Sequence, residues 1–335
     1  MAKNKRQYGS SNVLIRIYEK SLLSLEYFER ILAADHTDEV LQILEETNYD
    51  KFIERMEESD FENMLTRALE ETFKQVYKVS PSQKVNEYLS LRYTYHNLKL
   101  IFKEQITGDN LSHLYFNFTP YDFSTIDYAV SAGESNRMPE AYVESIREAR
   151  EAYEQSHDLY AIDVILDRRF HTHLGILAFE IGDEDLVTMT KRFTDYRNLI
   201  ILVRAKNQKR TRNFLNAVLS SSGSIPKEKV LELSEQDISE VVRFYNTTHL
   251  SDVIEEASND DNTLISTMEL EAIIDDQIMN NMQRGKYVAT GPLPILAFIH
   301  AKETEIKNLR IILYAKDLKL SEEEIRERMR LNYVT

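Results

Sequence analysis

The sequence predicts an all-α protein. Apolar residues recur mostly at i, i+3, i+4 and i+7, the spacing that puts them on one side of a helix. Only 8 Gly and 6 Pro occur in 335 residues, which leaves few places for tight turns or hairpins. Glu, Leu, Lys and Arg are abundant; with 42% hydrophobic and 29% charged residues the chain reads as soluble and globular. Length alone suggests about two domains.

Elements follow in three stretches of like layout. The first opens with VLIRIYEKSLLSLEYFERIL and an acidic run, and ends on a helix from Ser80 to the neighbourhood of Glu104, before Gly108. Ser80, Pro81 and Gln83 are spaced as an N-cap, a first-turn proline and the return partner of a capping box. The second stretch carries YAIDVILDRRFHTHLGILAFEIG and a helix begun by Asp183 after Gly182. LSSSGSIPKEK, rich in Ser with Gly223 and Pro226, marks the clearest boundary. The third stretch carries STMELEAIIDDQIMNNMQRGKY, which Gly285 is placed to end, then a long apolar helix and a last capping box of Ser321 with Glu324.

One phrase occurs three times. YTYHNLKLIFKE, FTDYRNLIILVRAK and ETEIKNLRIILYAK align on Asn97, Asn198 and Asn308, 101 and 110 residues apart. Each Asn precedes Leu and an apolar run, and three positions before it stand Thr94, Asp195 and Glu305. A period near 100 residues is too long for a solenoid and suggests three related helical subdomains: 1–120, 121–222 and 223–335. A buried amide must have its donor and acceptor satisfied, at about 1–3 kcal/mol each if they are not. Each Asn is therefore expected to tie its helix to a neighbour in its own subdomain, with no chemistry demanded of it.

Composition excludes several function classes. A net charge of −15 disfavours nucleic acid and direct adsorption to anionic lipid. Zero Cys removes disulfides, thiolate nucleophiles and cysteine metal sites. No apolar run approaches the ~20 residues of a spanning helix, so no membrane insertion is expected. No phosphate-loop, nucleophile-elbow or dinucleotide glycine pattern occurs. Asp163, Asp167 and His171 share a helical face with His173 nearby, but Arg168 and Arg169 beside them suit ion pairing better than a metal. Asp275-Asp276 and Asp260-Asp261 are similar to the diphosphate-binding pairs of isoprenoid synthases; Met279 and Leu264 stand where the further Asp is needed, which favours a solvated face and a loop. No metal, cofactor or catalytic residue is expected. The basic run RAKNQKRTR, with Arg204, Lys206, Lys209, Arg210 and Arg212, is the leading candidate for a partner-binding surface, against the plain reading of bases at a helix C-terminus.

LPILAFIHAKETEIKNLRIILYAKDLKLSEEEIRERM resembles the end of the C subunit of V-type and A-type rotary ATPases, whose eukaryotic counterpart is the d subunit. LLSLEYFERILAADHTDEVLQILEETNYDKFI and YLSLRYTYHNLKLIFK resemble its first segment and first long helix. The resemblance covers nearly the whole chain and is weakest between Leu111 and Asp158. It implies three helical subdomains about a pseudo-threefold axis, forming a funnel, with the three Asn at equivalent places. It further implies a non-catalytic rotor part, one copy per complex, at the cytoplasmic face of the membrane. Its partners would be the central-stalk subunits (D and F type) and the proteolipid ring. A helical scaffold for an unrelated protein remains the alternative, and an enzyme using Asp275 and Asp276 ranks third.

Overall fold

The computed structural model describes residues 7–54, 60–259, 261 and 264–334. Among them every regular element is helical, apart from one isolated bridge between Ser258 and Ile265. The chain packs as two compact units, Met1–Gln83 with Asp275–Thr335, and Lys84–Ile274.

In the first unit α1 (Gly9–Tyr18), α2 (Leu25–Ala33), α3 (Thr37–Glu45), α4 (Asp50–Ile53) and α5 (Phe61–Val79) come from the N-terminal part. From Asp275 on, α15 (Thr267–Gln283) belongs to this unit and leads into a 3-10 turn, Arg284–Tyr287, followed by α16 (Leu293–Asp317) and α17 (Glu322–Arg328). α16 is the axis of this unit, with α5, α1 and α3 packed on it. Its sequence is apolar on every side, from Ile295 and Phe298 to Ile312 and Leu313, and a helix of that kind can only be buried. Each such Leu or Ile contributes about 1.5–3 kcal/mol by leaving water.

The second unit is built on two more long helices that bury residues on several sides, α6 (Gln83–Thr107) and α10 (Glu184–Asn207). Between them in sequence lie α7 (Phe123–Ala132), α8 (Glu140–Ser156) and α9 (Leu159–Ile181); α11 (Arg212–Val218), α12 (Lys227–Ser234), α13 (Ile238–Tyr245) and α14 (Ser251–Ala257) follow. α9 packs against α8, α10 and α11. Polar tips fix the register of this core: Tyr88 pairs with Thr190 at 2.8 Å and Tyr95 with Ser145 at 2.9 Å.

Several helix starts are capped as their residues dictate. Asp122, Asp183 and Thr211 accept from the N–H groups of Thr125, Leu186 and Phe214, and Ser321 with Glu324 closes the expected capping box. Two expected caps are corrected. α6 begins at Gln83, not Pro81, because the Ser80 N–H donates to Val76 O at 2.8 Å and so ends α5. Gly285 does not end α15 in a left-handed cap; it lies in the 3-10 turn, where a Cβ would stand 2.7 Å from Ala297 Cβ. Close helix approach, not backbone freedom, is what that position requires.

Candidate partner interface

The three aligned asparagines are all buried and each makes the same paired bond. Asn97 Nδ2 donates to Phe116 O at 2.9 Å while the Phe116 N–H donates to Asn97 Oδ1 at 3.0 Å. Asn198 clamps Ser220 in this way at 2.8 and 3.1 Å, and Asn308 clamps Arg330 at 2.8 and 2.8 Å. Each side chain thus satisfies both backbone groups of one residue in the segment returning after its helix. That requires a donor and an acceptor on one short planar group, which Asp and Leu lack.

The likeness extends along each helix. Eleven residues after the Asn stand Gly108, Lys209 and Lys319, all with positive φ (77°, 53° and 55°), where the helix turns into its return segment. Two residues further, Asn110, Thr211 and Ser321 each accept a backbone N–H and start the next turn or short helix. Three positions before the Asn the partners differ. Thr94 bonds its own helix at Ser90 O. Asp195 accepts from Ser224 N and Oγ and from Ile225 N, at 3.0, 2.5 and 3.0 Å. Glu305 accepts from Leu23 N at 2.6 Å, Tyr49 OH at 2.8 Å and Lys302 Nζ at 2.5 Å.

The basic run divides into structural and free groups. Lys206 donates to the carbonyls of Leu233, Ser234 and Gln236 at the end of α12, and burial lowers its pKa. Arg204 pairs with Glu271, and Arg212 bonds Leu231 O and Glu235 at 3.0 and 2.9 Å. Lys209 and Arg210 point outward, and neither has an ion pair among the described residues; Arg210 leans on the Phe214 ring, 5.4 Å from its centre. Two of the five expected residues are therefore available to a partner.

The acid-rich candidates are occupied by protein groups. Asp163 pairs with Lys103 at 3.0 Å and Asp167 with Lys99 at 2.6 Å, a ladder between α9 and α6. Burial pushes the pKa of both His171 and His173 down to about 4; the His173 ring lies against Tyr142, 4.4 Å between ring centres. Asp275 holds Lys307 and Arg330, and Asp276 accepts from Leu331 N at 2.9 Å, so this pair fastens the C-terminal segment. Asp260 lies outside the described residues, and Asp261 is exposed. No group of three or more metal-capable side chains occurs among the described residues.

One surface feature is not evident from the sequence. α1 is turned inside out: Ser11, Asn12 and Ile15 are buried, while Val13, Leu14 and Ile17 are 63%, 39% and 55% exposed. Polar bonds hold it so. Ser11 Oγ donates to Val79 O at 2.6 Å, Asn12 Nδ2 to Ala289 O and Gly291 O at 3.1 Å each, and Arg16 to Gly285 O and Val288 O. A signal exists, in a Ser-Asn pair set against aliphatics at i+1 and i+5, but only contacts across some 270 residues decide which face turns inward.

With this geometry in view, residues 11–328 match the model of the ATP synthase (C/AC39) subunit family. The chain is 34% identical over 327 residues to the C subunit of the V-type sodium ATPase of Enterococcus hirae, covering 98% of this chain and 99% of that one. It is 22% identical over 342 residues to the C subunit of the A-type ATP synthase of Methanocaldococcus jannaschii (95% and 85% covered). Against the C subunit of the A-type ATP synthase of Methanothermobacter thermautotrophicus it is 27% identical over 202 residues (58% and 51%). No helix among the described residues is long and apolar enough to cross a membrane.

Proposed function

The chain belongs to the ATP synthase (C/AC39) subunit family and is a rotary-ATPase subunit, and from that premise we propose that it is the non-catalytic socket between stalk and ring. In this reading one copy sits at the cytoplasmic face of the membrane, on the proteolipid ring, and receives the central-stalk subunits of D and F type. It passes torque from one to the other for ATP-driven ion transport. The observation that carries the reading is the family match over nearly the whole chain.

The rest of the molecule is consistent with that role. A torque coupler needs stiffness and two interfaces, not a nucleophile or a metal. The asparagine clamp, repeated in three long helices, fastens each helix to its return segment and supports the proposal of three related helical subdomains. Lys209 and Arg210 are the part of the basic run proposed to meet a partner. Neutralising both should weaken assembly in a salt-dependent way, because exposed charges act through the ionic-strength-sensitive part of association.

The test is native mass spectrometry of this chain with purified central-stalk subunits and detergent-solubilised proteolipid ring. One copy bridging both is expected. Binding to neither by a cleanly folded chain would overturn the socket reading and leave a helical scaffold.

A further inference from the structure

We propose that the outward face of α1, together with the loop after α15, is the surface by which this chain seats on the membrane-embedded ring, an inference that rests on the socket reading. Two segments build this face. The Asn12 and Arg16 side chains bond the backbone of residues 285–291, so α1 and that loop form one surface. On it Val13, Leu14 and Ile17 stand out beside Tyr287, which is 89% exposed. Polar groups are spent inward and apolar groups are shown outward, the reverse of what water selects.

Charge singles out the same face. In a chain with 56 Asp and Glu, none falls between Gln7 and Tyr18 or between Gln277 and Lys302. Arg284 and Lys286 do fall there. The next acid along, Glu19, is paired with Arg16 at 2.6 Å and accepts from Tyr333 OH at 2.8 Å. A body of charge −15 brought against an anionic leaflet is repelled wherever its carboxylates face it, which favours an approach led by these two acid-free segments. Phe179, 78% exposed on α9, lacks this property, since Glu180, Glu184 and Asp185 follow it.

The occupant is a protein surface with apolar side chains and backbone or carboxylate acceptors, as at the exposed ends of membrane helices. Three aliphatic side chains are a small apolar anchor beside even one myristoyl chain, whose membrane binding is marginal. α1 is also pinned by four side-chain-to-backbone bonds from Asn12 and Arg16, which suits docking to a fixed counterpart better than immersion in lipid.

The experiment uses the full chain carrying Val13→Glu with Ile17→Glu, checked for native circular dichroism and thermal midpoint. Binding is measured to detergent-solubilised proteolipid ring, to purified central-stalk subunits and to phosphatidylserine vesicles. The expected result is a ring affinity lowered at least about tenfold, about 1.4 kcal/mol, with stalk affinity unchanged. Unchanged ring affinity, or loss of stalk binding instead, overturns the proposal. Vesicle binding by the unmodified chain that the double variant abolishes, with the ring unaffected, assigns the face to lipid and overturns it too. If the unmodified chain binds neither ring nor stalk, the socket reading falls first and this face with it. A second measurement does not depend on the acidic variant folding. The chain has no Cys, so Val13→Cys supplies a single thiol whose maleimide labelling should be slowed by ring and not by stalk.

Discussion

Asp195 and Glu305 occupy the same place in their helices, three residues before the clamping Asn, and both are buried, yet they are held in different ways. Glu305 is matched by a buried cation: Lys302 lies 2.5 Å away, 5% exposed, with its ammonium 4.3 Å from the centre of the Tyr49 ring. Asp195 is matched by dipoles, two backbone N–H groups and the Ser224 hydroxyl. His249 approaches Asp195 to 3.4 Å, but burial lowers its pKa and outweighs the pull of the carboxylate, so the contact is not a full ion pair at neutral pH. The difference shows how a repeated helix is specialised. The amide is constant because one backbone clamp is needed each time, while the acid is free to fasten whatever segment passes: residues 224–225 at one site, Leu23 and Tyr49 at the other.

Removing the cation should therefore matter at one site only. Lys302→Met is expected to cost about 3–5 kcal/mol in chemical denaturation, since it strands a buried carboxylate. The double variant Lys302→Met with Glu305→Gln should recover most of it. His249→Gln should cost under about 1 kcal/mol. Equal losses at the two sites would break the contrast.

The clamps themselves come next. Asn198→Leu leaves an N–H and a C=O of Ser220 unpaired in a buried place and should cost about 2–4 kcal/mol. Asn97→Leu and Asn308→Leu should cost less, because the Phe116 and Arg330 backbones are partly exposed and water can replace the amide.

Acid should loosen the second unit, which holds Asp195, through two of its histidines. His173 is buried and His171 half-buried with its Nδ1 shut away from water, and desolvation pushes both pKa values down to about 4, below the unfolded value near 6.5. The unfolded chain then binds more protons, so their contribution is complete above pH 6.5 and is lost as pH falls toward 4. The expected slope is about 1.4 kcal/mol per pH unit for each histidine, read by hydrogen exchange along α9. Full protection of α9 down to pH 4 would contradict it.

Gly223 sharpens the same site at smaller cost. A Cβ there would overlap Asp195 Oδ1, so Gly223→Ala should destabilise by about 1–3 kcal/mol, while Ala at Gly133, where a Cβ meets nothing, loses only what its positive φ imposes.

How much of this could be read from the letters depends on the range of the contact that decides it. The helical class, the long apolar helices and the Ser321 box follow from spacing within a few residues, and all three stand in the structure. The alignment on Asn97, Asn198 and Asn308 is visible; the residues they grip, 19 to 22 positions on, are not, because a backbone acceptor carries no letter. Ser80 misleads for a local reason, as a good N-cap residue can equally end the helix before it. In RAKNQKRTR five bases look alike, and only the fold shows that Lys206 caps α12 while Lys209 faces outward.

The smallest expected effect tests the repeat itself. Gly108, Lys209 and Lys319 stand at one position of three helices with the same left-handed backbone. A side chain in that conformation costs about 1–2 kcal/mol, offset in part by the greater unfolded-state entropy that Gly would bring. Lys209→Gly and Lys319→Gly should each raise stability by about 0.5 kcal/mol, and Gly108→Ala should lower it by about 1 kcal/mol. At Gly108 a Cβ meets nothing within 4 Å, so the loss there is conformational and not steric. Opposite signs at matched positions would mean that one turn geometry is imposed three times by the clamp behind it. Equal signs would mean that each lysine holds its turn through its own contacts, and that the likeness of the three helix ends stops at their backbone angles.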